Sequence, residues 1–332
     1  LKRLSDTWDE EQEKAIKKFG KDIDEETAAD FHRFQIPKGC HWSDLRKAAE
    51  NQGVLIQKIT QKIEEANPEL LAQIFGNAPW ADHNKMPPER LERLIAHFSQ
   101  QDLSPSRISN DLMGGGYEYL LKRFSDESST SAGQFFTPRA VVHLLVRILA
   151  PQPTDSIYDP TCGSAGMLIE AATEVKQSGG SVQRMRFYGQ EVNQTSAAIG
   201  RMNLFIHDVE DAQIRREDTL QKPKFVDSKG KLHQFDVVVA NPPYLPDEQE
   251  VPNELKFEPD MALFGGKGDG MMAPREFIKA ASRLLKSGGL LALEHNEEQG
   301  PLIAQELSED FEGIATYQDL NERPRFTIAR RK

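Results

Sequence analysis

Apolar and polar positions alternate in two different rhythms along this chain, and the rhythm changes near residue 130. In the first part Asp44, Leu45, Ala48, Ala49, Val54, Leu55 and Ile59 recur at spacings of three and four in a mixed face, and Leu91, Leu94, Ile95 and Phe98 do so more cleanly. Such spacing predicts helices, punctuated by Pro68, Pro79, Pro87 and Pro88. The charged opening from Asp9 to Asp24 reads as a solvated helix face, and no internal repeat is present. Beyond a Ser-rich link at 128–132, short β-branched and apolar runs alternate with helical stretches. Strands are expected at Ser156–Asp159, Arg186–Gln190, Gln213–Arg216, Phe235–Ala240, Leu290–Glu294 and Arg325–Arg330, with helices between them. The division predicts a helical domain over 1–127 and an α/β domain over 128–332, its sheet mostly parallel with helices on both faces. Ligands then belong at the carboxyl ends of the strands.

Composition narrows the class. The 332 residues are 38% hydrophobic and 28% charged, soluble globular values, and no run approaches the roughly 18 apolar residues of a membrane span. The chain opens at Leu1 with no signal-like segment and no methionine, which implies processing or a start outside the sequence. Two cysteines, Cys40 and Cys162, form no disulfide framework or Cys-rich zinc site, and a reducing cytoplasm is the expected compartment. His143, His207, His233 and His295 are scattered, so each is expected to be structural, and no metal site is expected. The net charge of −11 opposes long-range attraction to a polyanion despite the local Lys222, Lys224, Lys229 and Lys231. Two readings follow: a partner holds DNA for this chain, or its substrate is not DNA.

Candidate chemistry lies at the strand ends. Asn241, Pro242, Pro243 and Tyr244 follow the run Phe235–Ala240. An Asn oxygen and the Pro242 carbonyl, which has no N–H beside it, can accept both hydrogens of a planar amino group while the Tyr244 ring stacks on a flat substrate. Asp159, Thr161, Gly163, Ser164 and Gly166 follow the first strand and open a helix. The glycines allow a tight turn, and Asp159 can accept from a cationic amine; an acid is poorly placed beside a phosphate, and no Gly-Lys-Ser/Thr trio follows. Cys162 is expected to pack in that turn rather than act as a nucleophile. Glu191 ends the second strand, 32 residues after Asp159, where an acid can bind ribose hydroxyls in nicotinamide enzymes and methyltransferases alike. Asp218 and Thr219 follow the third. Gln134, Phe135, Phe136 and Thr137 precede the helix of 140–149, with Thr137 as its cap and Pro138 at its first position. The Gly265–Gly270 segment is open to two readings, a mobile loop at a substrate entrance or a plain surface turn.

Asn-Pro-Pro-Tyr at 241–244 resembles the catalytic motif of S-adenosylmethionine-dependent amino-methyltransferases, which act on amino nitrogens of DNA bases or on the glutamine amide of peptide release factors. Asp159-Pro160-Thr161-Cys162-Gly163-Ser164 is similar to the first motif of the modification subunits of type I restriction-modification systems, the N6-adenine DNA methyltransferase family. The stretches at 103–108 and 112–121 resemble the end of that family's helical N-terminal domain, and a Gly114–Gly116 triplet there also fits a plain helix boundary. The resemblance implies a Rossmann-like class I S-adenosylmethionine-dependent methyltransferase sheet preceded by an all-helical domain. It implies S-adenosyl-L-methionine as cofactor, held by Asp159, Glu191 and Asp218 with Asn241, and closed over by the 134–137 segment. DNA, a specificity subunit and a restriction subunit are the implied partners. After Tyr244 the likeness changes: 257–266, 285–295 and 323–327 look like release-factor glutamine methyltransferases, and the chain ends at Lys332 without the C-terminal helical extension of type I subunits. The expected function is N6-adenine methylation of DNA. The alternatives are N5-glutamine methylation of release factors, and a cofactor-binding structural component that has lost its target-recognition parts.

Overall fold

The computed structural model describes residues 1–21, 24–48, 50–127, 139–209, 211–247, 249–250, 263–319 and 321–332. The expected link at 128–132, the residues Gln134, Phe135, Phe136 and Thr137, and the part of the glutamine-enzyme likeness at 257–262 lie outside them. The chain forms two compact units, Leu1–Gly115 and Gly116–Lys332.

The first unit is helical: α1 (Lys2–Phe19), α2 (Glu25–Phe31), α3 (Trp42–Lys47), α4 (Gln52–Ala66), α5 (Pro88–Ser99) and the start of α6 (Asn110–Glu127). Helix α4 buries Ile56, Ile59, Thr60 and Ile63, the i, i+3, i+4, i+7 stripe of a core-facing helix. Three local expectations change. On α5 Leu91 and Ile95 are buried but Leu94 and Phe98 are 40% and 37% exposed, so half of that clean stripe faces away from the core. Gly114–Gly116 lies inside α6, which runs through it without a boundary. Within the charged opening Glu10 is not simply solvated, and neither are Arg3 and Asp6 just ahead of it. Arg3 donates to the carbonyl of Ile108 at 2.9 Å and to Asn110 Oδ1 at 2.6 Å. Asp6 accepts the Leu103 amide at 2.8 Å, and Glu10 the Ser106 amide at 2.9 Å. These charge-assisted bonds fix the 103–110 segment to α1.

The second unit is a sheet between two helical layers. After α7 (Arg139–Leu149) come β1 (Ser156–Asp159), α8 (Gly166–Gln177), β2 (Arg186–Glu191), α9 (Gln194–Ile206), β3 (Ala212–Arg216) and β4 (Phe235–Ala240). Two short strands, β5 (Leu245–Pro246) and β6 (Phe264–Gly266), pair with each other. They are followed by α10 (Met272–Leu284), β7 (Leu285–Glu294), α11 (Gly300–Leu307), β8 (Phe311–Gln318) and β9 (Pro324–Arg331). The seven-stranded order is β3-β2-β1-β4-β7-β9-β8, with β9 antiparallel to both neighbours and the other pairs parallel. Alternate residues face opposite layers, as the two-residue strand period requires. Ile157, Val237 and Val239 pack with α7, α8 and α9, whereas Tyr158, Val238 and Ala240 pack with α10 and α11.

Two expectations are corrected. The β3–β4 connection, residues 217–234, holds no helix and only an isolated bridge between Val226 and Leu232. The seventh strand of the sheet, β8, was not expected. It is an edge strand with mostly exposed residues, so its apolar signal is weak. Among the described residues no helix is long and apolar enough to cross a membrane.

Candidate functional site

Strand order reverses between β1 and β4, since the chain turns towards β2 and β3 on one side and towards β7 on the other. The carboxyl ends of β1 and β4 therefore flank the crevice in which open α/β sheets take their ligands. Both predicted motifs emerge there.

The turn after β1 is fixed by its own sequence. Asp159 is buried and accepts the Thr161 amide at 3.0 Å. Gly163 (φ +49°) and Ala165 (φ +63°) adopt left-handed backbone, which Gly tolerates without strain and Ala does not. The Gly163 amide donates to Glu191 Oε2 at 3.0 Å, and the Asn193 amide to Glu191 Oε1 at 2.8 Å, so Glu191 staples the turn to β2 with one bond per oxygen. Asn203 holds the Ser164 carbonyl at 3.0 Å. Burial, reinforced by the Glu191 charge against the Thr161 hydrogen bond, pushes the Asp159 carboxyl up to about 7. Burial also raises Glu191, against the backbone bonds it accepts. Burial penalises the ionised form of both acids, and a cationic ligand, which favours that form, would offset the penalty. A side chain at Gly163 or Gly166 would meet nothing within 4 Å, so this turn offers an open backbone face, and the residues present fit a nucleoside with an ammonium group.

The neighbouring residues lock this arrangement. Thr219 donates to the Pro160 carbonyl at 2.6 Å, and Asp218 Oδ1 accepts the amides of Leu220 and Gln221 at 2.9 and 3.2 Å. Cys162 is buried beneath the turn with its thiol raised well above its ordinary value, chiefly by burial and then by the Asp159 and Glu191 charges, which makes it inert as a nucleophile. Gly189 makes room for it. A Cβ there would stand 2.7 Å from Cys162 Sγ and 2.4 Å from Ile214 Cδ1. Gly189→Ala is expected to lower stability by about 1–3 kcal/mol, as overpacking does. Urea unfolding measures this, and adding Ile214→Val, which removes the closer atom, should recover part of the loss.

Asn241–Tyr244 leaves β4 as the second wall. The Thr161 hydroxyl reaches the Asn241 carbonyl at 3.5 Å, joining the two loops. Tyr244 donates its amide to the Leu263 carbonyl at 3.1 Å, as β5 begins to pair with β6. Its phenol donates to Glu294 Oε1 at 3.3 Å, and its carbonyl accepts from Gln299 Nε2 at 2.8 Å. The tip of the Gly265–Gly270 segment, 267–269, is an exposed turn, as one of the two readings had it, but its flanking glycines are buried. A Cβ at Gly265 would lie 2.9 Å from Tyr244 Cα, and one at Gly270 2.4 Å from the Tyr244 carbonyl oxygen, so the segment is a brace pressed on the back of the Pro243–Pro246 backbone.

Glu294, buried at the end of β7, and Gln299 were not singled out by sequence reasoning. Yet an acid ending an apolar strand is the signal that selected Asp159 and Glu191. Of the histidines, His295 is buried and bonded to the Asn296 carbonyl at 2.8 Å and Thr327 Oγ1 at 2.9 Å. His143 meets Glu170 at 2.5 Å and His207 lies 3.5 Å from Glu118. Among the described residues no group of three potential ligands could hold a metal ion.

The sheet order, with β1 and β4 loops meeting at its reversal, is that of a Rossmann-like S-adenosylmethionine-dependent methyltransferase. The sequence profile described as N-6 DNA Methylase matches residues 108–293, and that described as HsdM N-terminal domain matches residues 1–98. The chain belongs to the N-6 DNA methylase family. It is 29% identical over 238 residues to the type I restriction enzyme MjaIX methylase subunit of Methanocaldococcus jannaschii, covering 70% of this chain and 40% of that protein. It is 27% identical over 224 residues to the EcoKI methylase subunit of Escherichia coli, covering 63% and 42%. The matched stretch thus spans about two fifths of these curated relatives. A crystal structure of a type I restriction-modification methyltransferase subunit from Streptococcus thermophilus superposes with a TM-score of 0.69 at 20% identity, covering 100% of this chain and 77% of that one. The family match runs unbroken past Tyr244 to residue 293. The stretches 257–266 and 285–293, expected to resemble glutamine methyltransferases, thus fall within the N-6 DNA methylase match.

Proposed function

We propose that this chain methylates the exocyclic N6 of adenine in DNA with S-adenosyl-L-methionine, as the modification subunit of a type I restriction-modification assembly. The observation that carries the reading is the meeting of the Asn241–Tyr244 loop and the Asp159–Gly166 turn at the reversal of the sheet, joined by Thr161 and Asn241. When bound, the cofactor supplies an electrophilic methyl on a sulfonium. Asp159 takes its ammonium, Glu191 its ribose hydroxyls and Asp218 its adenine amino group. Gln134, Phe135, Phe136 and Thr137 enter the proposal from the family likeness alone.

The chemistry asked of the chain is mostly placement. An adenine amino nitrogen is a weak nucleophile because its lone pair is delocalised into the ring. The Asn241 side-chain oxygen and the Pro242 carbonyl accept its two hydrogens, and Tyr244 supports the base from one face, so the lone pair is aimed along the attack line. The base must leave the duplex to arrive there. With a net charge of −11 the chain needs a partner to grip the backbone. A specificity subunit fills that role, a restriction subunit completes the system, and the helical domain, 1–127, is assigned to partner or DNA contact. Release-factor methylation is disfavoured by the unbroken family match across the loop.

The test is transfer from tritiated methyl donor to unmethylated DNA or to a release factor, with and without a specificity partner. Label in DNA supports the proposal, and label in protein alone overturns it.

A further inference from the structure

Tyr244 is held at three points by atoms with no place in the chemistry above. Its amide goes to Leu263, its carbonyl to Gln299 and its phenol to Glu294. The two side chains lie five residues apart, on either side of the β7–α11 corner. Gln299 is 3% exposed, and its Nε2 donates to the carbonyls of Tyr244 and Asp269, both at 2.8 Å, while its Oε1 accepts the Asn296 amide at 3.0 Å. That set fixes the orientation of the amide, because a flipped one would turn its oxygen on two carbonyls. It also ties the motif loop to the Gly265–Gly270 brace behind it. Glu294 is likewise 3% exposed. One of its oxygens takes the Tyr244 phenol, and Oε2 has no hydrogen-bond partner among the described residues. Arg325 is the charged neighbour that favours the ionised form, and its guanidinium also pairs with Asp319 at 3.5 Å. His295 and the Tyr244 phenol are the other titratable groups beside it.

A buried carboxyl with one oxygen unmatched costs the fold stability, and an apolar residue of similar size would pack there more cheaply. Stability therefore does not account for Glu294. Its contact with the ring of the substrate loop does. We propose that Glu294 and Gln299 are positioning residues that set the plane and height of the Tyr244 ring, and through it the position of the substrate amino group. This rests on the function proposed above, since it presumes that Tyr244 supports the acceptor base.

Three variants test it. Glu294→Leu removes the acceptor at similar volume, Glu294→Gln restores it without the charge, and Gln299→Met removes all three amide bonds. Glu294→Leu is expected to lower kcat about tenfold or more, a size consistent with sub-ångström misplacement of a reacting group, while melting temperature is unchanged or higher. Glu294→Gln should return kcat to within about threefold of wild type, and cofactor affinity should move less than about threefold in either variant. Combining Glu294→Leu with Tyr244→Phe should cost no more than the larger single effect, because both delete one contact. Gln299→Met should lower kcat and speed amide exchange in peptides covering 240–247 and 264–272. Wild-type kcat in folded Glu294→Leu and Gln299→Met overturns the proposal. So does a parallel loss of kcat and melting temperature that Glu294→Gln fails to rescue, which marks a purely structural role. Should wild type transfer no methyl to DNA, the functional reading fails separately; the exchange measurement then still decides, and unchanged exchange in Gln299→Met overturns the clamp.

Discussion

Asn241→Ala is expected to lower methyl transfer to DNA by about 10²- to 10³-fold, the loss seen when one preorganised polar group aimed at a reacting centre is deleted. The reason lies in what the position offers. Asn241 follows directly on β4, whose Val238 and Val239 are buried in opposite helical layers, so the residue rides on a rigid strand end rather than a free loop. Its neighbour Pro242 is buried, and Tyr244 is pinned at amide, carbonyl and phenol. In the proposed function, removing the side-chain oxygen takes away one of two acceptors for the substrate amino group. Cofactor affinity should change by less than about tenfold, because the buried acids that would hold the ammonium and ribose stand on β1 and β2. Single-turnover transfer, alongside calorimetric titration of the cofactor, separates the two effects. A variant that retains more than half of wild-type transfer would remove Asn241 from the chemistry.

Much of this arrangement is legible in the sequence because the informative residues are local. The strands β1 and β4 are short apolar runs buried on both faces, and each ends in a residue whose type breaks the run, Asp159 or Asn241. Glu191 was found by the same logic, although its observed work includes stapling Gly163 and Asn193, which no spacing reveals. Contacts between distant segments were illegible. Gln299 lies 55 residues from Tyr244, and Glu294 50 residues away, so their convergence depends on β7 lying beside β4. Gly265–Gly270 looked like a loop because glycine permits loops. Here the missing side chains serve close backbone approach instead. The edge strand β8 was missed for a third reason: exposed strands carry little apolar alternation to read.

Asp159→Asn is expected to weaken cofactor binding at pH 8 by about 10- to 100-fold, the range for losing a charge-assisted hydrogen bond, and to remove most of its pH dependence. In the wild type the carboxyl, raised to about 7 chiefly by burial and then by the Glu191 charge, is protonated in much of the free protein at pH 6. A bound ammonium favours the ionised form, so affinity should rise with pH through about 7 and level off above it, with proton release on binding near neutrality. Calorimetry in buffers of different ionisation enthalpy counts those protons. Stability moves the other way. The folded carboxyl keeps its proton up to about 7, whereas the unfolded one loses it near 3.8, so between those values the folded state binds more protons and stability falls as pH rises. Above about 7 both states are ionised and the loss is constant. Asparagine carries no such charge, so the variant should gain stability relative to wild type between pH 5 and pH 8 while losing the ligand. Glu294, also raised to about 7 by burial, adds a slope of the same sign that the variant keeps. Denaturation curves at pH 5 and pH 8 should thus show a smaller pH loss for Asp159→Asn than for wild type, but not a flat profile. Equal losses in the two proteins would mean that Asp159 is already ionised in the free fold, and the cationic-ligand argument would lose its electrostatic basis.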